Sequence, residues 1–406
     1  MKYLWFLIIL MNVSAIQGQV DLTIVDECRG GKEVLVGVRV GDKIFSKDTL
    51  STGINKISLL PGMYALVRSG ILLGDIVVVQ EDELRLVLNC DSIKMIQSPV
   101  NSAFFSFVNA PDSTKRTIYE QATGAAKDVL QWCYPQLSIE KLSDLQRTNA
   151  GLNSLFTRYL VESKSFMFNS PFFELNMEHY LNNWISQDAD TLIKYMKVVE
   201  SELQGDDKAY FLRFVLHRFE SSKILGQENV FIDLALRNVG KREVLFDSTT
   251  DFNILNKAKQ LYPNRIGERV SDFVMRVPGS SNFENYLASP GLYKLLFFFD
   301  PDCHHCKEAF PSVLEFARKH VDAGVHVYAV ATSLDLPEYQ RFIVEQPKLN
   351  NVHYRWDPEL NSKTFRDYYY IPSTPTIYLT TATGICLARG IAAAELDSLF
   401  GHIINN

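Results

Sequence analysis

The residues of this chain that most directly indicate chemistry are two cysteines three positions apart, Cys303 and Cys306. They stand where an apolar run, residues 295–299, gives way to a stretch with helical periodicity. At the start of a helix the first sulfur lies near unpaired backbone N–H groups and the positive end of the helix dipole, which favour its thiolate. The second sulfur lies about one turn inside the helix, within reach of the first. This arrangement predicts thiol–disulfide exchange, with Cys303 as the nucleophile and Cys306 as the resolving thiol.

Metal binding is the alternative use of such a cysteine pair. Zinc generally takes four ligands, often as two separated pairs, whereas this chain has one pair of this spacing. The adjacent His304 and His305 point about 100° apart on a helix, so they do not complete a ligand set together. We therefore expect no resident metal and no organic cofactor. Delivery of copper or zinc through Cys303, Cys306 and one histidine stays open as an alternative.

The four remaining cysteines are interpreted as structural. Cys28 and Cys90 both lie in a strand-rich region, where two buried free thiols are the favoured interpretation and a disulfide between them is the alternative. Cys133 and Cys386 are expected to be small apolar core residues.

The spacing of apolar residues divides the chain into three regions after a short N-terminal segment. Residues 20–97 alternate apolar and polar positions, and turn signals separate the runs, which predicts a small antiparallel β-sandwich. Residues 98–262 repeat apolar positions at three-to-four spacing and predict a helical domain. Residues 263–406 alternate buried strands with helices. That pattern predicts an α/β domain, a mixed central sheet with helices on both faces, which must hold the cysteine pair.

The N-terminal segment and the net charge limit the kinds of function that the chain can have. Residues 1–19 have a cationic start, an apolar run and small residues after it, the pattern of a secretory signal peptide. The run is far shorter than the roughly 20 apolar residues that cross a bilayer, and no later segment reaches that length. We therefore expect an exported protein with no membrane span in its mature form. The net charge of -6 offers no basic surface for phosphate backbones, so no nucleic-acid partner is expected.

From about residue 266 onward the chain resembles the thioredoxin superfamily, in particular the TlpA-like thiol:disulfide oxidoreductases of bacterial envelopes. Besides the cysteine pair, the resemblance rests on Pro311 and on the segment 371–379, IPSTPTIYL. It implies a thioredoxin-like fold and a cis bond between Thr374 and Pro375, with the backbone there facing Cys303 and offering an edge on which an extended substrate can pair. Segments 98–104 and 224–230 are similar to parts of uncharacterised modules that precede such domains in bacterial envelope proteins.

The chain departs from the common thioredoxin pattern around the cysteines. Many thioredoxins carry a buried acid six residues before the first cysteine, where this chain has Phe297. The usual aromatic residue directly before the first cysteine is replaced by Asp302, whose carboxylate disfavours a neighbouring thiolate. His305 resembles the histidine that stabilises the thiolate in disulfide isomerases and periplasmic oxidases, while His304 is unusual and is either a second tuning residue or only solvated. We expect moderate acidity at Cys303, and the direction of electron flow stays open.

These observations predict an exported thiol:disulfide oxidoreductase of the periplasm or cell envelope. Its substrates would be protein thiols and disulfides, and an upstream redox partner would recycle the cysteine pair. Asp335, after the predicted strand 325–331, is a further candidate for the active face. The alternative from another class is a binding or scaffold protein in which residues 20–262 hold a partner and the thioredoxin fold is vestigial.

Overall fold

The computed structural model describes residues 19–29, 31–40, 43–80, 84–139, 142, 147–163, 166–240, 246–280, 282–333, 336–356 and 365–405. The predicted signal peptide lies outside the described residues except for Gln19, and Asp335 lies outside them as well. Among the described residues, no helix combines the length and the apolarity needed to cross a bilayer.

The strands are β1 (Val20–Asp26), β2 (Val34–Val40), β3 (Lys43–Leu50), β4 (Gly53–Leu59), β5 (Gly62–Arg68), β6 (Ile71–Val78), β7 (Arg85–Leu88), β8 (Ile93–Gln97), β9 (Val274–Arg276), β10 (Phe283–Asn285), β11 (Tyr293–Phe299), β12 (Val325–Ala331), β13 (Val352–Trp356), β14 (Thr376–Thr381) and β15 (Cys386–Arg389). The helices are α1 (Pro99–Val108), α2 (Asp112–Gln121), α3 (Gly124–Cys133), α4 (Gln136–Ile139), α5 (Asn149–Glu162), α6 (Phe172–Asn183), α7 (Ala189–Glu202), α8 (Gly205–Glu220), α9 (Glu228–Asn238), α10 (Ser248–Leu261), α11 (His304–Lys319), α12 (Leu336–Glu345), α13 (Phe365–Tyr368) and α14 (Leu396–Asn405).

The N-terminal strands form two four-stranded sheets, with strand orders β4-β1-β7-β8 and β3-β2-β5-β6. Alternating residues of both sheets, among them Leu22, Val36, Leu66 and Leu86, are buried in one shared core, as the period of two predicts. Most neighbours are antiparallel, but β1 and β7 pair in parallel, with Asp26 opposite Leu88. Two parallel neighbours must be joined by a long connection, which β2 to β6 provide here. The alternation of residue types alone does not reveal this parallel pairing.

The predicted change of period at Ser98 and Pro99 is the start of α1. The Ser98 hydroxyl accepts a hydrogen bond from the Asn101 N–H at 2.8 Å, and Pro99 occupies the first turn, where a missing N–H costs nothing. The Asn101 side chain then pairs with the outer edge of β6: its Oδ1 accepts from the Val77 N–H at 2.7 Å and its Nδ2 donates to the Val77 carbonyl at 2.8 Å. These bonds fix α1 against the sheet.

The described chain forms two compact units. One contains the residues up to Gln187 together with Lys194–Phe214, and the other contains Asp188–Ile193 and the residues from Val215 onward. The last helices of the sequence-defined helical region, α9 and α10, thus belong with the C-terminal sheet. Arg389 of β15 is a main link, because it donates to Glu228 at the start of α9 at 2.6 Å and to the Leu261 carbonyl at the end of α10 at 2.8 Å.

The C-terminal unit is built on a seven-stranded mixed sheet in the order β10-β9-β13-β12-β11-β14-β15. The strands β11, β12 and β13 are parallel, and β14 runs antiparallel to β11. One face packs against α11, α12 and α14 around residues such as Phe299, Phe310 and Phe400. The other face packs against α13 and the chain before β11 around Phe273 and Tyr286. The sheet is therefore covered on both sides, as predicted for buried strands.

Candidate active site

The first cysteine is positioned by the junction between β11 and α11. The chain turns at Asp300, whose carbonyl accepts a hydrogen bond from the Cys303 N–H at 3.1 Å. Cys303 is the N-cap residue of α11 with an extended backbone, and its carbonyl accepts from the N–H groups of Cys306 at 3.1 Å and Lys307 at 3.2 Å. The predicted helix start is therefore present, and Pro311 lies inside the helix as the resemblance implied.

The second element of the site is the loop before β14. The Thr374–Pro375 peptide bond is cis, and the Cys303 Sγ donates a hydrogen bond to the Thr374 carbonyl at 3.3 Å. The isomer and the facing backbone implied by the resemblance are thus confirmed. The loop reaches the cysteine because β14 lies directly beside β11, with Thr376 opposite Phe298 in the ladder. The Thr376 hydroxyl also donates to the Ser373 carbonyl at 2.6 Å, which fixes the turn.

Cys303 has a pKa below the ordinary value of a cysteine thiol. Partial burial is the largest influence on this pKa and raises it, but several hydrogen bonds to the sulfur together outweigh it: those from the Thr374 side chain, the Cys306 thiol, and the backbone N–H groups of Cys306 and His305. Cys303 is only partly buried, in contrast to the other free cysteines of the chain, which are buried.

Cys306 lies in the opposite environment. It is 1% exposed, and burial raises the pKa of its thiol to about 11, although the backbone N–H at Asp300 opposes this. The position of the buried acid in many thioredoxins is filled by Phe297, whose ring lies 5.4 Å from that of Phe310 and 5.7 Å from that of Phe299. These aromatic side chains supply no carboxylate that could accept the proton of Cys306. The two thiols of the pair are therefore sharply different in acidity.

The three residues predicted to tune the pKa lie at the surface around Cys303. His304 and His305 are about four-fifths exposed, and both approach the same carboxylate: His304 Nε2 lies 3.2 Å from Glu308 Oε1, and His305 Nδ1 lies 3.3 Å from Glu308 Oε2. Asp302 is exposed, and its N–H donates to Asp300 Oδ1 at 3.0 Å. Glu308 was missed in the sequence, although its three- and four-residue spacing from the histidines on one helix is the signal that could have found it.

The remaining cysteines are distributed between core and disulfide. Cys133 and Cys386 are buried free thiols, as predicted, and burial raises the pKa of both. The favoured interpretation of Cys28 and Cys90 as free thiols is wrong, because they form a disulfide. Its physical origin is the parallel pairing of β1 and β7, which places Asp26 opposite Leu88 and hence the two cysteines, each two residues further on, side by side.

Within the described ranges, no group of three or more His, Cys, Asp or Glu side chains is arranged to hold a metal ion. The site therefore consists of two thiols, the cis-proline loop and a surface cluster of two histidines and one carboxylate.

Solved structures of thioredoxin-like proteins and domains are similar to this chain, mostly over its C-terminal part. A thioredoxin-like protein from Bacteroides caccae is 14% identical with a TM-score of 0.42, and the match covers 72% of this chain and 94% of that one. A thiol:disulfide interchange protein from a Bacteroides species is 18% identical over 35% of this chain and 91% of that one, with a TM-score of 0.30. The thioredoxin domain of a thiol-disulfide oxidoreductase from Bacteroides vulgatus is 20% identical over 34% and 96%, with a TM-score of 0.29. No family model matches the chain, and no curated protein matches it.

Proposed function

We propose that this chain is an exported thiol:disulfide oxidoreductase that exchanges disulfides with protein thiols through Cys303 and Cys306. The observation that carries the proposal is the difference between the two sulfurs. One is partly exposed and acidic at a helix start, and the other is buried behind it with a pKa of about 11. A pair of this kind separates the roles of attacking and resolving thiol.

In the reducing direction, the Cys303 thiolate attacks one sulfur of a substrate disulfide, and the other substrate sulfur leaves as a thiolate and takes up a proton. This forms a mixed disulfide between Cys303 and the substrate. Cys306 then loses its proton and attacks the Cys303 sulfur, which releases the second substrate thiol and forms the Cys303–Cys306 disulfide. Two electrons pass to the substrate. The reverse sequence oxidises a substrate dithiol, and both directions use the same atoms.

The cis-proline loop supports the same chemistry. The Thr374 carbonyl accepts from the Cys303 thiol, and this bond is lost on ionisation, so the carbonyl favours the thiol and the Thr374 hydroxyl favours the thiolate. We assign Thr374 and Pro375 the role of presenting a backbone edge to the polypeptide next to the attacked sulfur. We propose that His304, His305 and Asp302, which flank Cys303 in the sequence, tune its reactivity.

Because the pKa of Cys306 is raised to about 11, little of its thiolate is present at neutral pH, and we expect the resolving step to be slow. Phe297 stands where many thioredoxins carry the buried acid, and its aromatic side chain cannot accept the proton of Cys306. We therefore expect long-lived mixed disulfides. We also propose a periplasmic or envelope location and an upstream redox partner that recycles the pair.

Substrate capture tests this proposal. The Cys306→Ser variant is incubated with insulin, a disulfide-containing probe, and quenched with acid before non-reducing electrophoresis and peptide mass mapping. The expected result is a covalent insulin adduct on Cys303. The Cys303→Ser variant should form none, and a Cys386→Ser variant, which removes a buried thiol outside the site, should behave like the native chain.

Absence of an adduct through Cys303 in a folded Cys306→Ser variant would overturn the proposal and favour a scaffold role. Tight, stoichiometric binding of copper or zinc by the reduced chain, lost in the Cys303→Ser variant, would favour metal delivery instead.

A further inference from the structure

The two cysteines of the Cys28–Cys90 disulfide differ in how much of each residue is exposed to solvent. Cys28 is 4% exposed, whereas Cys90 is an exposed residue of the turn between β7 and β8. A thiolate opens a disulfide by attacking one sulfur and expelling the other, so access decides which sulfur is attacked. From the exposure of the two residues we expect attack at the Cys90 sulfur, with Cys28 as the leaving group. Exposed disulfides are the more oxidising and more labile ones.

The segments that carry the two cysteines are held together by a buried guanidinium as well as by the disulfide. Arg68 donates to the Lys32 carbonyl after Cys28 at 3.1 Å and to the Asn89 carbonyl before Cys90 at 2.7 Å. Its third contact is the carboxylate of Asp26 at 2.6 Å, with both side chains buried. The cation thus bridges the two loops on either side of the sulfur–sulfur bond.

Further contacts add to this clamp. The other carboxylate oxygen of Asp26 accepts from the Cys28 N–H at 3.0 Å. The Glu27 N–H donates to the Leu88 carbonyl at 3.0 Å, and its side chain pairs with Lys94 at 2.8 Å. None of these bonds requires the disulfide. We therefore expect the two thiols of the reduced pair to stay next to each other in the folded unit.

We propose that Cys28 and Cys90 form a second thiol–disulfide exchange site, which accepts the electron pair of the Cys303/Cys306 dithiol. The inference deepens the proposed function and rests on it. Among the described cysteines, Cys303 is the free thiol that reaches solvent and the one with a lowered pKa. The disulfide that would accept these two electrons is Cys28–Cys90, one of whose cysteines is exposed.

The transfer balances in two steps. The Cys303 thiolate attacks the Cys90 sulfur, forming a Cys303–Cys90 mixed disulfide and releasing Cys28 as a thiolate that takes up a proton. Cys306 gives up its proton and attacks Cys303, which releases the Cys90 thiolate to be protonated in turn. The C-terminal pair is oxidised, the N-terminal pair is reduced, and two electrons have moved.

Two complementary variants test the transfer between molecules. The donor is the reduced Cys28→Ser/Cys90→Ser variant, and the acceptor is the Cys303→Ser/Cys306→Ser variant with its disulfide formed. The two are mixed, quenched with acid, and their thiols are labelled with a maleimide under denaturing conditions for mass spectrometry. We expect the donor to lose two free thiols and the acceptor to gain two. Retention of the acceptor disulfide beside a competent donor would overturn the inference.

A control reaction of the donor with oxidised glutathione distinguishes failure of the second exchange site from failure of the proposed function. A donor that forms the Cys303–Cys306 disulfide with glutathione but leaves the acceptor untouched refutes only the second site. A folded donor that reacts with neither refutes the proposed function itself.

A trapping variant identifies the attacked sulfur. With Cys306→Ser added to the donor, peptide mapping should find Cys303 linked to Cys90 of the acceptor, and a link to Cys28 instead would contradict the exposure argument. Because removal of the disulfide could unfold the donor, native chain is also reduced with dithiothreitol and followed by circular dichroism. We expect its far-ultraviolet spectrum to be retained, and loss of the N-terminal sheet signal on reduction would show that the disulfide is purely structural.

Discussion

A pair of histidines in the C-terminal sheet makes the stability of that unit dependent on pH. His326 of β12 and His353 of β13 lie side by side, with Nδ1 of the first 2.8 Å from Nε2 of the second and with ring planes 7° apart. Two imidazole nitrogens at that distance share one proton between them. Protonating both rings would place two positive charges next to each other.

The size of the effect follows from the surroundings of His353. Burial lowers its pKa to about 4, and the positive charge of Arg355 and His326 adds to the lowering, while Glu284 opposes it. Burial also lowers the pKa of His326, and Lys294 contributes. A pKa of about 4 in place of the ordinary 6.5 corresponds to at most about 3 kcal/mol. Partial exposure of the ring reduces this to roughly 2 kcal/mol.

The sign is set by proton binding. Between about pH 4 and 6.5 the unfolded chain binds a proton at His353 that the folded chain does not. The free energy of unfolding therefore rises with pH in this window. The contribution is fully present above pH 6.5 and is lost as the pH falls toward 4.

Urea unfolding of the native chain and of a His353→Gln variant, measured from pH 7 to pH 4.5, tests this reasoning. The native chain should lose roughly 2 kcal/mol more than the variant over this range. A His402→Gln variant, which changes an exposed histidine of α14, should follow the native chain. Nuclear magnetic resonance titration of labelled histidines gives the pKa directly. Parallel curves for native chain and His353→Gln, or a His353 pKa near 6.5, would refute the argument.

Three further substitutions probe the site and its support. Thr374→Val removes the hydroxyl that lowers the pKa of Cys303, so alkylation of Cys303 by iodoacetamide at neutral pH should slow. Thr374→Ser keeps a hydroxyl and should react at the rate of the native chain. Equal rates for the two variants would contradict this role of Thr374. Phe297→Ala opens a cavity under the cysteine pair and should lower the free energy of unfolding by roughly 3–5 kcal/mol, as measured by urea denaturation. A loss below about 1 kcal/mol would mean that the surrounding side chains move into the cavity. Arg389→Met breaks the buried link from β15 to the helices α9 and α10 and should lower the free energy of unfolding by about 2–3 kcal/mol. The control Arg318→Met, at an exposed ion pair, should lower it by less than about 1 kcal/mol. Equal shifts of the melting temperature in the two variants would count against the link.

Much of the site is local in sequence and was open to prediction. The apolar run of β11, the helix that starts at Cys303 and the proline inside that helix all lie within 19 positions, from Tyr293 to Pro311. Conformation at that range depends on near neighbours, because strand alternation, helix periodicity and capping act over a few residues. The cis-proline loop lies 71 positions from Cys303 and was predicted through its resemblance to a known motif.

What the tertiary structure decided involves partners far apart along the chain. The Cys28–Cys90 disulfide joins positions 62 apart and depends on the parallel register of β1 and β7. The attachment of α9 and α10 to the C-terminal sheet depends on Arg389, which reaches a carboxylate 161 positions away. The alternation of residue types says which face of a strand is buried, but it does not say which strand lies beside it or in which register. That choice is made by the packing of the whole sheet. The sequence by itself therefore determined the candidate cysteine pair, and only the assembled fold decided which distant groups surround it.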